Sequence, residues 1–414
     1  MKPEHDILII GAGAAGLYAG HVLQKRGISF RILEAADRIG GRLGKLTGFA
    51  DYPLDLGAEW LHGKKSLIGK LIKKTGTSIK KDKSTEVYWF QGKLIEEPPR
   101  DVWAIFDKKR KPDISYFDYA TEQGFGEDYR YIIEAIAGDQ GADSTRLSAY
   151  WNAKEEEEWS SGEKDYKFQD TYFDLINKHI ATPLLDKISL HTIIKRIDYR
   201  EQEIFVKDSK DQIWRASHVI LTVPIPVLKD GAIEFVPPLP SKKTEAFQQI
   251  GMDAGMKVFL KFSEKFYHQN IIGGRNCAAY ADEIIGKEGQ DHVLMAFVMG
   301  KQAEYLSSLE EEAAIVHLLL TELDEMYAGQ ASASFVDAYV MDWSKQPFIR
   351  GAYSYSTIGI GNARAIAAQS IDDKLFFAGE AMNLNGHHQT VHGAAETGIR
   401  EAKRVLKLKE LDKS

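Results

Sequence analysis

Hydrophobic positions in this chain fall in short runs. Residues 7–10, Ile-Leu-Ile-Ile, are apolar without alternation and stop at Gly11, and Val219–Val223 is an uneven repeat of the pattern that stops at Pro224. Phe30–Leu33 is a further short, mainly apolar stretch. Runs of this length bounded by turn residues predict buried strands. Residues 188–221 alternate instead over Ile194–Tyr199, Glu203–Lys207 and Ile213–Arg215, as a meander does. Gly255–Phe262 alternates more strictly and sets Lys257, Phe259 and Lys261 opposite Val258, Leu260 and Phe262. Helical spacing marks 66–80, 126–138, 171–185 and 303–328, the last through Ile315, Leu318, Leu319, Leu323 and Met326. Lys374–Phe377 predicts another buried strand, and 391–406 a helix with small residues at its start. The pattern predicts an α/β protein.

The first of these runs carries the strongest chemical signal. It breaks into Gly11, Gly13 and Gly16, with Ala14 and Ala15 between, and Glu34 closes the next apolar stretch eighteen residues after Gly16. Strand, glycine turn, helix, strand and terminal acid form the dinucleotide-binding fingerprint. Gly11 allows the turn, Gly13 lets a pyrophosphate approach the backbone, Gly16 lets helix and strand pack closely, and Glu34 accepts hydrogen bonds from a ribose. Gly11, Gly13, Ala14, Ala15, Gly16, Glu34, Ala35 and Ala36 are therefore the candidate cofactor contacts. The run continues to Arg42, whose planar fork suits pyrophosphate oxygens.

Composition narrows the class. The 414 residues suffice for two cores, and 44% apolar with 27% charged content fits a globular protein. A formal charge of −7 offers no basic surface for nucleic acid, and the single cysteine, Cys277, excludes an internal disulfide. No apolar run is long enough to span a membrane, too few residues precede the first strand for a signal peptide, and a cytoplasmic location is expected. Nothing specifies an oligomeric state. His387, His388 and His392 lack the spacing of a metal site, and Glu155–Glu158 reads as a solvated helix face.

With Leu56–Gly63, Leu221–Phe262, Trp343–Gly359 and Leu375–Ala402 added to the blocks above, the chain resembles the flavin-containing amine oxidase superfamily, on the branch of polyamine oxidases and lysine-specific histone demethylases. The resemblance implies a glutathione-reductase-like, Rossmann-type FAD domain assembled from 1–75, 186–235 and 366–414. A substrate domain of mixed sheet and helices then takes 76–185 and 236–365. It implies non-covalent FAD, because no cysteine occupies the attachment position, and a reaction in which an amine C–N bond is oxidised to an imine while O2 becomes H2O2. Polyamines lead as substrate. Monoamines follow, then L-amino acids, for which Arg275 or Arg350 would have to clamp a carboxylate. A flavin dehydrogenase passing electrons to another acceptor is the alternative from a different class.

The resemblance also assigns roles. Lys257 matches the lysine that assists electron transfer from flavin to dioxygen, and a cation suits that task. Tyr353 matches an aromatic wall of the flavin face, while Thr390 stands where a second aromatic is common, as in the demethylases. His62 falls where polyamine oxidases keep a polar substrate contact, and Trp60 either closes part of the cavity or packs in the core. Ile194 offers its backbone to adenine, Glu380 lies near ribitol and pyrophosphate, and His392 fixes backbone near the cofactor. The Gly393-Ala394-Ala395 helix start leaves room for the ring system. Asp170-Thr171 replaces a glycine pair, so an acid is expected on the substrate side.

Overall fold

The computed structural model describes residues 5–106 and 111–411. Its largest sheet runs in the order Ile188–Ser189, Phe30–Leu33, His5–Ile10, Ile213–Leu221, Ile204–Asp208, Ile194–Asp198, Glu234–Val236, and Leu375–Phe377 also pairs with Ile213–Leu221. The central pairings, including that of Leu375–Phe377, are parallel, whereas 194–221 forms an antiparallel meander. The unbroken apolar run of the first strand is explained by burial on both faces. Ile7 and Ile9 join one core with the helix Ala14–Lys25, and Leu8 and Ile10 join another.

A second, seven-stranded sheet has the order Phe335–Asp342, Gly255–Phe262, His292–Met299, Ala279–Asp282, Asn270–Ile272, Glu86–Phe90, Lys93–Ile95. Val258, Leu260 and Phe262 lie in one core with Ile315, Leu319 and Leu323 of the helix Glu312–Tyr327, while Phe259 lies in another. A three-stranded sheet places Trp60–His62 against Asp165–Phe168, with Ile79–Lys81 on the far side. Its register sets Trp60 opposite Lys167 and His62 opposite Asp165.

Several expected helices are reshaped. The 303–328 pattern divides into Gly300–Ser307 and Glu312–Tyr327. The Ser308 hydroxyl donates to the Tyr305 carbonyl at 2.7 Å, the local competition by which serine ends helices. The 66–80 pattern ends at Thr75, where Gly76 takes a left-handed conformation (φ 70°) and releases the chain into Ile79–Lys81. Through 171–187 the turn widens over Asn177–Ala181 and tightens over Thr182–Lys187, where Pro183 cannot continue a regular α-helix. Among the described residues no helix is long and apolar enough to cross a membrane.

Candidate active site

One cavity of about 1680 Å³ joins the fingerprint to the two smaller sheets, and it exceeds the ~300–1,000 Å³ usual for a single small ligand. At one end Gly11, Gly13, Ala14, Ala15, Glu34, Ala35, Ala36 and Arg42 line it, together with Ile194. Gly13 caps the helix Ala14–Lys25 without a side-chain hydrogen bond and with no acid in the first turn. The first amides of that helix therefore face the cavity as unsatisfied donors, the condition for anion binding. A Cβ on Gly13 meets nothing within 4 Å, so the space above the backbone is open. Gly16 does not line the cavity. A Cβ there would stand 2.0 Å from the Gly11 carbonyl oxygen, so it serves the close packing of helix and turn.

Glu34 is buried and accepts from the Ala12 amide at 2.6 Å and the Ala36 amide at 2.9 Å, which fixes its carboxylate at the cavity wall. Arg42 donates to Glu380 at 2.9 Å and to the Ala352 carbonyl at 2.8 Å. Glu380 also accepts from the Ser354 hydroxyl at 2.7 Å. Burial raises its carboxyl pKa, but Arg42 and these bonds outweigh that and hold it below the usual range. The helix Val391–Leu411 brings its N-terminus to the same cavity, with Val391, His392 and Ala394 on the lining. It packs beside Ala14–Lys25 so closely that a Cβ on Gly398 would lie 2.0 Å from the Ala15 carbonyl oxygen. The elongated cavity, the open glycine and the free helix amides fit a flavin dinucleotide.

Beyond that end the lining changes. Trp60, Trp103, Phe297 and Tyr353 provide aromatic wall, and Asp82, Glu86, Asp139 and Asp165 provide carboxylates. Trp60 Nε1 donates to Asp82 at 3.0 Å. His62 Nδ1 lies 2.9 Å from Asp165; burial lowers the imidazole pKa, but the bond to Asp165 more than reverses this, so the net direction is upward. Asp139 is pushed up by burial, and the Asp165 charge adds to the effect. The Tyr353 hydroxyl donates to the Asp139 carbonyl at 3.1 Å. Lys257 is buried at the cavity wall and donates to Glu59 at 2.7 Å and to the Asp55 carbonyl at 3.0 Å. The Thr390 hydroxyl accepts from the Gly393 amide at 2.9 Å and donates to the His387 carbonyl at 2.7 Å. Thr390 is thus the cap of the last helix and turns only a small side chain to the cavity.

Some expectations need correction. Asp170 does not line the cavity; its carbonyl accepts from buried Lys287, and Thr171 caps the helix Tyr172–Ile176. His392 contacts the Ser161 hydroxyl at 3.0 Å rather than backbone, and burial lowers its pKa to about 3. Glu155 is no solvated residue. Its carboxylate pairs with Arg364 at 3.1 Å and His388 at 3.0 Å, partners distant in sequence. Burial alone would raise its pKa, but His388 and Arg364 hold it at about 2. Because this acid binds its proton more weakly folded than unfolded, its contribution is present above about pH 4.5 and lost as pH falls towards 2. Acidification from pH 5 to 3 should cost the protein about 2 kcal/mol through this residue. Urea unfolding at both pH values should show a flatter dependence in Glu155→Gln; parallel curves would refute the assignment.

Sequence reasoning named the run containing Glu59 without giving that residue a role, and it missed Lys167, Asp139 and Asp165. Register and burial reveal them, and no local pattern does.

The chain matches the family model "Flavin containing amine oxidoreductase" over residues 173–406 and an NAD(P)-binding Rossmann-like domain over 9–74. It is 27% identical to lysine-specific histone demethylase 2 of Homo sapiens, over 98% of this chain and 54% of that protein, so it spans about half the length of that relative. It is 25% identical to probable polyamine oxidase 4 of Arabidopsis thaliana, over 96% of this chain and 86% of that one. Among solved structures, a wild-type putrescine oxidase with putrescine bound superposes with a TM-score of 0.81 at 21% identity, covering 97% of this chain and 99% of that chain. Cyclohexylamine oxidase from Brevibacterium oxydans IH-35A gives 0.82 at 20% identity, covering 99% and 100%. Carrying the fold of these oxidases and matched by the family model over more than half its length, the chain belongs to the flavin-containing amine oxidoreductases.

Proposed function

We propose that the protein is an FAD-dependent oxidase of polyamines or closely related cationic amines. The observation that carries the substrate class is the inner end of the cavity, where carboxylates of Asp82, Glu86, Asp139 and Asp165 stand among Trp60, Trp103, Phe297 and Tyr353. Carboxylates attract the distal ammonium groups of an extended polycation, and aromatic faces both accept cations and exclude water from the reacting nitrogen.

Glu34, Arg42 and the amides following Gly13 hold FAD, without a covalent link. FAD when bound would supply the redox chemistry: two electrons and a hydrogen leave the carbon beside the amine nitrogen, the nitrogen gives up a proton, and dioxygen takes up the two electrons and two protons as hydrogen peroxide. The remaining imine is hydrolysed by water to a carbonyl compound and a smaller amine. Tyr353 orients the substrate beside the reacting face, His62 meets a substrate nitrogen or a group next to it, and Thr390 keeps that wall short. Lys257 supplies positive charge for the oxygen step, which favours an oxidase over a dehydrogenase. The amino-acid alternative lacks support, since Arg350 is paired with Asp230 at 2.6 Å, and Arg275 lies off the cavity near Glu325.

The flavin domain is drawn from 1–75, 186–235 and 366–414, and the substrate domain from 76–185 and 236–365. The eight-stranded sheet takes its strands from the first set apart from the edge of Glu234–Val236, in support of this division. The stretch 172–184 departs from it, because Tyr172, Leu175, Ile176, Ile180 and Leu184 pack in one core with Ile7, Ile9 and Leu17.

The test is anaerobic mixing of the yellow protein with spermine, spermidine, putrescine, aromatic monoamines and a methyl-lysine peptide. Bleaching by polyamines and recovery in air, with peroxide formed, is the expected result. Bleaching by the peptide or monoamines alone would overturn the substrate class. Failure to recover in air would overturn the oxidase.

A further inference from the structure

Behind the cavity wall is a cluster of charges for which the proposed chemistry has so far used only one member. Asp55, Glu59, Lys167, Lys257, Glu283 and Lys287 are each no more than 6% exposed. Glu59 is its centre. One carboxylate oxygen accepts from Lys257 Nζ at 2.7 Å, and the other is paired with Lys167 Nζ. Both ammonium groups also approach the Trp60 ring, Lys257 at 5.6 Å and Lys167 at 4.7 Å from its centre. Lys257 spends a second N–H on the Asp55 carbonyl, leaving its third donor for the cavity it lines.

The other acids do not share this arrangement. Glu283 reaches Lys167 only at 3.7 Å, and neither of its oxygens has a hydrogen-bond partner among the described residues. Asp55 meets Lys287 at 3.4 Å. Burial pushes both carboxyls up, whereas the two lysines hold Glu59 down against the same burial. Across the sheet Lys257 faces Phe297 and Met341, which do not titrate. Among the described residues the Lys257 charge acts on Asp55, Glu59 and Glu283, and Asp82 acts on Lys167 from further out.

We propose that Glu59 is a positioning residue for the flavin chemistry: its carboxylate, shared between two buried lysines, holds the Lys257 ammonium at the flavin-facing wall and offsets the charge of Lys167. The proposal rests on Lys257 facing the flavin. An unshared pair of ammonium ions this close, in a medium of low dielectric, repels strongly, and one of them sheds its proton as pH rises.

Glu59→Gln keeps the shape and removes the charge. The readouts are the midpoint potential of the bound FAD against pH, and the rate of reoxidation by dioxygen over the same range. Burial already pushes the Asp55 and Glu283 carboxyls up to about 7 in the parent. The variant should show one added ionisation beyond these between about pH 6 and 9, above which the potential falls and reoxidation slows about tenfold or more. Glu59→Asp should largely restore the parent profile. So should Glu59→Gln combined with Lys167→Met, because the second change removes the repelling charge; a residue that merely supported the fold would not be rescued by a further core substitution. Absence of the added ionisation in Glu59→Gln, or no rescue in the double variant, overturns the role of Glu59. If Lys257→Met leaves both potential and reoxidation unchanged, the flavin-facing reading of Lys257 falls instead, and the proposal falls with it.

Discussion

Replacing Lys257 by methionine should slow reoxidation of the reduced enzyme by dioxygen by about 10²–10³-fold, the usual cost of removing one preorganised charge from a developing anion. Reduction by amine should change only a few-fold, because the carboxylates proposed to receive the substrate lie elsewhere on the cavity wall. The fold should tolerate the change. Methionine fills the space of the lysine stem, and Glu59 keeps Lys167 as a partner, so no isolated charge is left in the interior. Stopped-flow traces of the two half-reactions separate these effects. Equal slowing of both would mean that Lys257 shapes the site as a whole; an unaltered oxygen step would remove it from the chemistry.

The second large effect separates two glycines that look alike in sequence. Gly16→Ala forces a Cβ to within 2.0 Å of the Gly11 carbonyl oxygen, so the turn and helix must part. Overpacking of this kind costs about 1–3 kcal/mol, and both the unfolding midpoint and flavin retention should fall. Gly13→Ala meets nothing within 4 Å and sits at φ −76°, a conformation any residue adopts. Its unfolding midpoint without flavin should match the parent. Flavin affinity should nevertheless drop on the order of 10- to 100-fold, as the new methyl group holds the pyrophosphate away from the amides. Calorimetry of the flavin-free proteins and titration with FAD give both quantities. A Gly13→Ala protein that binds FAD normally would place the pyrophosphate elsewhere.

These two glycines also show what made the cofactor end legible. Its chemistry is written in a local run: the strand, the turn and the helix are contiguous, and each glycine answers to a backbone demand within a few residues. Alternation assigned Lys257 a face, shared with Phe259 and Lys261, whereas the role proposed for it came from the resemblance. The inner end depends on pairings that no local pattern encodes. His62 meets Asp165 because two strands far apart in sequence share a register. Glu155 looked solvated in a run of four glutamates, yet Arg364 and His388 arrive from the other side of the fold to bury it. Lys167 sits in a short strand where a lysine ordinarily reaches solvent, and the carboxylates of Glu59 and Glu283 account for its position. Helix boundaries failed where a serine or a proline altered the turn without disturbing the apolar spacing.

The contact between Ala15 and Gly398 has a consequence for the order in which the molecule is made. The glycine turn and its helix emerge from the ribosome well before the helix that packs against them and before Leu375–Phe377, which completes the sheet beside Ile213–Leu221. Until those later segments are made, the fingerprint has one side exposed and no mate. Contacts of such long range form late and slowly. Flavin capture should accordingly wait until both helices have been made, and scarcity of flavin in the cell should show as accumulation of chains in which these two helices have not yet met.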